Sequence, residues 1–260
     1  MARSLPTLIR DLRLRRGRER RGLALAEGVR LVEEALAAGV PIRAAAVSPH
    51  LEATSRGQAL KAALERAGVR LEAMEDRELE RLADTEHPQG VIAVVAPPDW
   101  RWSDLRLGAG SVVLALDAVQ DPGNVGTILR TAHALGASGV IALRGTAELR
   151  SPKVVRASMG ALFRLPAIPA THDEFLRWAA EQRVEIWVSD AEGEPVSGPT
   201  VRPSDRPPVC LVLGNEGVGV GPTLTGRARR RVAIPLAPGA ESLNVAVAAG
   251  ILLYEVRRAR

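Results

Sequence analysis

Two spacings of apolar residues alternate along the chain. Short continuous or alternating apolar runs predict strands. Stretches in which apolar residues recur every three or four positions predict helices. Leu5, Leu8, Ile9 and Leu12 have the helical spacing, so residues 1–21 read as a basic amphipathic helix. Leu23–Gly28 reads as a short strand and turn, and Val29–Ala38 as a helix ending at Gly39. Ile42–Ser48 is then a strand, Ser55–Ala67 a helix closed by Gly68, and Val69–Ala73 a strand. Asp76–Ala83 is a short helix and Val91–Ala96 a buried strand. Strands alternating with helices indicate an α/β layer structure.

The run Pro97-Pro98-Asp99-Trp100-Arg101-Trp102-Ser103 interrupts this alternation and reads as a linker. The expected organisation is therefore one domain over 1–97, a linker over 98–108 and a second domain over 109–260. In the second, strands are expected at Val112–Leu116, Val140–Leu143, Glu185–Ser189, Val209–Leu213 and Arg231–Ile234. Helices are expected at Asn124–Leu135, Lys153–Ala161, Asp173–Arg183 and Leu243–Arg258.

Charge refines this picture. The chain of 260 residues carries 35 basic and 30 acidic residues, net +5. Lysine occurs only at Lys61 and Lys153, so the basic groups are mostly guanidiniums, which bind phosphate in a planar fork. Residues 1–21 hold eight arginines against Asp11 and Glu19. This arm reads as a solvated helix face, an RNA-contacting arm or a targeting segment. Cys210 is the only cysteine, which excludes an internal disulfide framework and a cysteine-based zinc site and suggests a reducing, cytoplasmic setting. The four histidines lack metal-ligand spacing, so no metal is expected. No apolar run has the roughly 20 residues of a membrane span, so no membrane partner is expected.

Three segments carry candidate chemistry. In the first, Leu116-Asp-Ala-Val-Gln-Asp-Pro-Gly-Asn124, a strand runs into a turn and Asn124 sits where a helix cap belongs, with Arg130 six residues on. Capping and solvation alone would also explain these two residues. The second, Leu213-Gly214-Asn215-Glu216-Gly217-Val218-Gly219, takes a strand into a glycine-rich loop with one carboxylate. It matches neither a dinucleotide fingerprint nor a phosphate loop, and a plain turn remains open. The third, Ile234-Pro-Leu236 followed by Ser242-Leu243-Asn244-Val-Ala-Val-Ala, places polar groups before a helix of small residues, which Ser242 could cap.

In order and type these segments resemble the three motifs of the SpoU (TrmH-like) branch of the knotted RNA methyltransferases, over residues 110–258. Arg156-Ala-Ser-Met-Gly-Ala-Leu-Phe is also similar to that family. Ala26-Glu27-Gly28-Val-Arg-Leu-Val and Gln89-Gly90-Val-Ile-Ala-Val-Val resemble the substrate-binding domain often fused in front, of the ribosomal-protein L30e-like fold. The resemblance implies an α/β protein with a C-terminal trefoil-knot methyltransferase domain and a smaller N-terminal L30e-like domain. It implies methyl transfer from S-adenosylmethionine to a ribose 2′-hydroxyl of structured RNA, 23S ribosomal RNA before transfer RNA, by a homodimer joined through the C-terminal domain. It implies catalytic roles for Asn124, Arg130, Glu216, Ser242 and Asn244, and a cofactor pocket of Leu213, Gly214, Gly217, Ile234, Leu236 and Leu243. RNA contacts are expected from Arg13, Arg15, Arg16, Arg18, Arg20, Arg21 and Arg130.

Readings from other classes compete. A nucleotide-dependent oxidoreductase needs a GxGxxG loop after the first strand of a domain, which neither domain has. A catalytically silent RNA-binding module could keep the fold, and an enzyme acting on a base nitrogen could keep the cofactor.

Overall fold

The computed structural model describes residues 4–196 and 207–258. The chain forms two compact units, one of Met1–Asp99 with Arg150–Arg164 and one of Trp100–Leu149 with Leu165–Arg260.

The first unit opens with two helices where one was expected, α1 (Leu5–Arg13) and α2 (Arg15–Arg21). Leu14 between them is extended, with φ −92° and ψ 137°. The chain folds back so tightly that a Cβ on Gly17 would lie 1.9 Å from the Asp11 carbonyl oxygen. Arg18 is only 4% exposed. It donates to the carbonyls of Leu12 at 2.9 Å and Arg13 at 2.7 Å, groups left over at the end of α1. Asp11 binds Arg20 at 2.7 Å and Arg21 at 2.8 Å. The Arg21 guanidinium, and then Arg20, hold the Asp11 carboxyl below its usual value.

The apolar face of α1 was legible: Leu5, Ile9 and Leu12 are buried against Leu25, Ile92 and Val94. The unit continues through β1 (Ala24–Glu27), α3 (Val29–Ala37), β2 (Ile42–Val47), α4 (Ser55–Arg66), β3 (Leu71–Ala73), α5 (Asp76–Leu82) and β4 (Val91–Val95). The sheet order is β1-β4-β2-β3, with β4 antiparallel to both neighbours and β2 parallel to β3.

The second unit is built on β5 (Val112–Leu116), α6 (Pro122–Ala134) and β6 (Gly139–Leu143). The chain then passes through α7 (Pro152–Ala157), which lies within the segment that packs with the first unit. Three ion pairs hold that segment there: Arg150 to Asp99 at 3.2 Å, Arg156 to Asp84 at 3.0 Å and Arg164 to Glu34 at 2.7 Å. Back in the second unit come β7 (Ala167–Ala170), α8 (His172–Glu181), β8 (Glu185–Pro195), β9 (Val209–Leu213), α9 (Pro222–Thr225), β10 (Arg230–Ala233) and α10 (Val245–Arg258).

The six strands lie in the order β10-β8-β9-β5-β6-β7, and every pairing is parallel. Parallel strands are buried on both faces, which explains the unbroken apolar runs of β5, β6 and β9. Strands are added on one side of β5 first and on the other side afterwards. The carboxyl ends of β5 and β9 therefore flank the position where open α/β sheets hold ligands. Phe175 and Trp178 of α8 pack over Ala115, Ile141, Val188 and Val212.

Candidate active site

The Asp121-Pro122 turn after β5 starts α6, and the helix cap is Asp121 rather than Asn124. Its carboxylate accepts from the Asn124 backbone N–H at 2.8 Å, with Pro122 at the first helical position. Asn124 is thereby relieved of capping, and its side chain points at the other two motifs. Asn124 Nδ2 donates to Glu216 Oε1 at 2.9 Å, while Asn124 Oδ1 accepts from Asn244 Nδ2 at 3.0 Å.

Asn244, and not Ser242, caps α10. Its Oδ1 accepts from the backbone N–H of Ala246 at 2.9 Å and Val247 at 3.3 Å. Ser242 precedes the helix by three residues and is exposed. One amide group from each of two helix starts and one carboxylate from a loop thus form a hydrogen-bonded row, Asn244–Asn124–Glu216. Arg130 is exposed on α6, and among the described residues neither it nor Ser242 bonds to this row.

The loop bearing Glu216 folds back on itself. Asn215 and Gly219 exchange both backbone hydrogen bonds, at 3.1 and 2.9 Å. A Cβ on Gly214 would lie 2.1 Å from the Gly219 carbonyl carbon, so only glycine permits that closure. Asn215 stitches the loop to the first motif, donating from Nδ2 to the Ala118 carbonyl at 3.0 Å. Asp117 takes the Gly221 N–H at 2.8 Å. Asn215 and Asp117 were not among the residues singled out in the sequence. The available signal was that each is the first side-chain polar group beyond a fully apolar strand.

Of the pocket candidates, Leu213 and Gly214 are buried and Ile234 is half-buried. Gly217, Leu236 and Leu243 are exposed at the same carboxyl edge of the sheet or in the loop before α10. Among the described residues no group of three or more His, Cys, Asp and Glu could hold a metal ion. Nor is any described helix long and apolar enough to cross a membrane.

In the basic arm, Arg18 faces inward, Arg20 and Arg21 bind Asp11, Arg15 pairs with Glu19 at 2.6 Å and Arg13 lies 3.8 Å from Asp84; Arg13, Arg15 and Arg16 have exposed side chains. The first unit also has a cleft of about 660 Å³ whose walls include Arg30, His50, Arg56, His87, Gln89 and Arg156.

Comparison with known proteins places these features in a family. Residues 111–254 match the SpoU rRNA Methylase family, and residues 8–93 match the MRM3-like substrate binding domain. The chain is 37% identical over 203 residues to a 23S rRNA (adenosine(1067)-2′-O)-methyltransferase of Streptomyces laurentii, covering 77% of this chain and 73% of that one. It is 30% identical over 248 residues to the 23S rRNA (guanosine(2553)-2′-O)-methyltransferase RlmP of Bacillus subtilis, covering 95% and 94%. The crystal structure of the SpoU methyltransferase AviRb from Streptomyces viridochromogenes, in complex with AdoMet, superposes with a TM-score of 0.86 at 30% identity. That match covers 99% of this chain and 98% of the other. With its three motifs joined by Asn124, Glu216 and Asn244 on a parallel sheet, the chain belongs to the SpoU rRNA methylase family.

Proposed function

We propose that this protein transfers a methyl group from S-adenosylmethionine to a ribose 2′-hydroxyl of ribosomal RNA. The observation that carries the reading is the Asn244–Asn124–Glu216 row, which draws all three motifs to one place at the carboxyl edge of the sheet. The cofactor joins a flat, uncharged adenine ring through a ribose to a positively charged sulfur and an amino-acid end. The exposed Leu236 and Leu243 and the glycine-rich backbone at 214–219 suit such a molecule. Leu213, Gly214, Gly217, Ile234, Leu236 and Leu243 are the residues that would hold it, in a domain of the trefoil-knot type. When bound it supplies a methyl group on a positively charged sulfur.

The residues of the chain then supply orientation and charge. The 2′-oxygen must be held in line with the methyl carbon as the new C–O bond forms and the C–S bond breaks. Asn124 is fixed at both ends of its amide and so presents one geometry to the ribose. Glu216 uses Oε1 on Asn124 and keeps Oε2 without a hydrogen bond among the described residues, leaving an acceptor for the hydroxyl proton. Arg130 cannot serve as that acceptor, because a guanidinium keeps its proton in proteins. Its role is to bind the adjoining phosphate and to stabilise negative charge developing on the oxygen. Ser242, exposed in the loop before α10, contacts the bound substrate.

RNA is gripped by the first unit. Arg13, Arg15 and Arg16 offer phosphate contacts from the arm, and the cleft beside Arg30 offers a second basic surface. A second copy of the chain covers α10, where Val247, Ile251 and Tyr254 form an exposed apolar stripe beginning near Leu243. The compartment is the cytoplasm, where ribosomal RNA is processed.

The deciding experiment incubates the protein with unmodified ribosomal RNA and methyl-labelled S-adenosylmethionine and maps the labelled nucleotide. Label on a ribose 2′-oxygen is the expected result. Label on a base, or no label with either ribosomal or transfer RNA, overturns the reading. Arg130→Lys should stay well below wild type, and full recovery by lysine would remove the guanidinium's special role.

A further inference from the structure

The end of β5 carries backbone strain without a glycine to absorb it. Ala118 has φ 56°, a left-handed conformation that alanine seldom adopts. Such a residue persists where its surroundings over-determine it, and such positions cluster at functional sites. Here the bracing comes from several directions. Thr146 Oγ1 donates to the Leu116 carbonyl at 2.8 Å, and the Ala147 N–H to the Val119 carbonyl at 2.9 Å. The Ala118 carbonyl itself receives Asn215 Nδ2 at 3.0 Å.

Asp117, the residue before it, is a carboxylate only 5% exposed. Its two oxygens have separate duties. Oδ2 accepts the Gly221 N–H at 2.8 Å, and Oδ1 lies 2.9 Å from Nε2 of His172 at the start of α8. A carboxylate has no proton to give, so His172 donates from Nε2. Neither Asp117 nor His172 bonds to the Asn244–Asn124–Glu216 row.

The consequence for the loop is geometric. Its two ends, Asn215 and Gly221, hang on the consecutive residues Ala118 and Asp117. Between them, Asn215 Oδ1 accepts the N–H groups of Gly217 at 2.9 Å and Val218 at 3.2 Å. Glu216 is enclosed within this fastening, so the fastening sets where its carboxylate meets Asn124.

We propose that Asp117 and Asn215 are positioning residues for methyl transfer, which clamp the glycine-rich loop to the strained end of β5, and that His172 partners the buried carboxylate that makes the clamp. The proposal rests on the reading of that loop as part of the cofactor and catalytic site. A carboxylate suits the position because it accepts from two donors at once, whereas an amide offers one acceptor oxygen.

The test uses the full chain. Cofactor affinity is measured by calorimetric titration with S-adenosylmethionine. The single-turnover rate is measured on unmodified ribosomal RNA at saturating cofactor, with a thermal melt for each variant. Asn215→Asp keeps the acceptor oxygen for Gly217 and Val218 but loses the donor to Ala118. It should weaken the cofactor about tenfold and slow the saturated rate about 100-fold, the scale expected when a reacting group is misplaced by about 1 Å. His172→Ala leaves the carboxylate without its partner and should act in the same direction. Asp117→Asn alone should lower both quantities as well, and adding His172→Ala to it should cost no more than a few-fold further, a coupling that independent sites would not show. Folded Asn215→Asp and His172→Ala proteins with wild-type affinity and rate would overturn the proposal.

Should those variants fail to fold, hydrogen exchange on the unaltered, cofactor-free protein decides. Slow exchange at the Val218 and Gly221 amides supports the clamp, and exchange as fast as in an open loop rejects it. A wild-type protein that neither binds the cofactor nor methylates RNA removes the functional reading itself. An active wild type with indifferent variants removes only the clamp.

Discussion

Asn244 holds Asn124 with one end of its amide and the start of α10 with the other. Nδ2 donates to Asn124 Oδ1 at 3.0 Å, and Oδ1 accepts from Ala246 and Val247. Stability and catalysis thus meet in one side chain, and substitutions can separate them. Asn244→Ala loses both contacts: the cap is worth about 1 kcal/mol, and the methyl-transfer rate should fall by more than tenfold. Asn244→Asp keeps the cap and adds a negative charge that the helix N-terminus favours. It cannot donate to Asn124, so it should melt like wild type and transfer methyl groups as poorly as the alanine variant. An aspartate variant with wild-type turnover would separate this hydrogen bond from catalysis.

The start of α6 divides the same two roles between two residues. Asp121 caps the helix, and Asn124 faces the site. Asp121→Ala should cost about 1 kcal/mol in a denaturant titration. Asn124→Ala leaves that cap in place and should stay within about 0.5 kcal/mol of wild type. Its methyl-transfer rate should nonetheless drop by about two orders of magnitude. If the two variants lose stability equally, Asn124 is a structural residue.

Much of this was legible in the sequence because it is encoded locally. The fully buried strands β5, β6 and β9 announce themselves as apolar runs, and the first two motifs lie where β5 and β9 end, while the third follows β10. What was not legible depends on partners distant in the chain. Asn124 reads as a cap until Asp121 is seen taking that bond. β7 was missed because Pro169 interrupts its short run, as an edge strand tolerates. β8 runs on to Pro195, past the expected end at Ser189, and its register against β10 jumps between Arg231 and Val232. Arg150, Arg156 and Arg164 carry no local sign that Asp99, Asp84 and Glu34 will receive them.

The arm's arginines should differ in what they do. Arg13 and Arg16 are exposed, and a surface pair as long as the 3.8 Å between Arg13 and Asp84 contributes little, so replacing both by Gln should leave the melting temperature nearly unchanged. If each meets a phosphate, the slope of log affinity for ribosomal RNA against log salt should shrink by about 1.5. Arg18→Gln removes a buried guanidinium from the carbonyls of Leu12 and Arg13 and should destabilise the first unit instead. Acid should loosen the same corner. The Asp11 carboxyl titrates below its usual value in the fold because Arg21 and Arg20 bind its charged form. Its contribution is therefore complete above the ordinary carboxylate range and lost as pH falls through the folded value. An unchanged salt slope in the double Gln variant would exclude Arg13 and Arg16 as phosphate contacts.

The outer face of α10 supplies the last prediction. Val247 is 51% exposed and Tyr254 52%, with Ile251 between them on the same side of the helix. An apolar stripe of this kind costs solubility unless something covers it. A second copy is the proposed cover, and in a two-fold pair the stripe would meet itself. Val247→Glu and Tyr254→Glu together would then place like charges in a buried seam. Sedimentation should show a dimer for the unaltered chain and a monomer for the double variant. Because the stripe starts beside Asn244 and Leu243, the monomer should also bind S-adenosylmethionine more weakly. A wild type that sediments as a monomer at working concentrations would leave the stripe without the partner assigned to it.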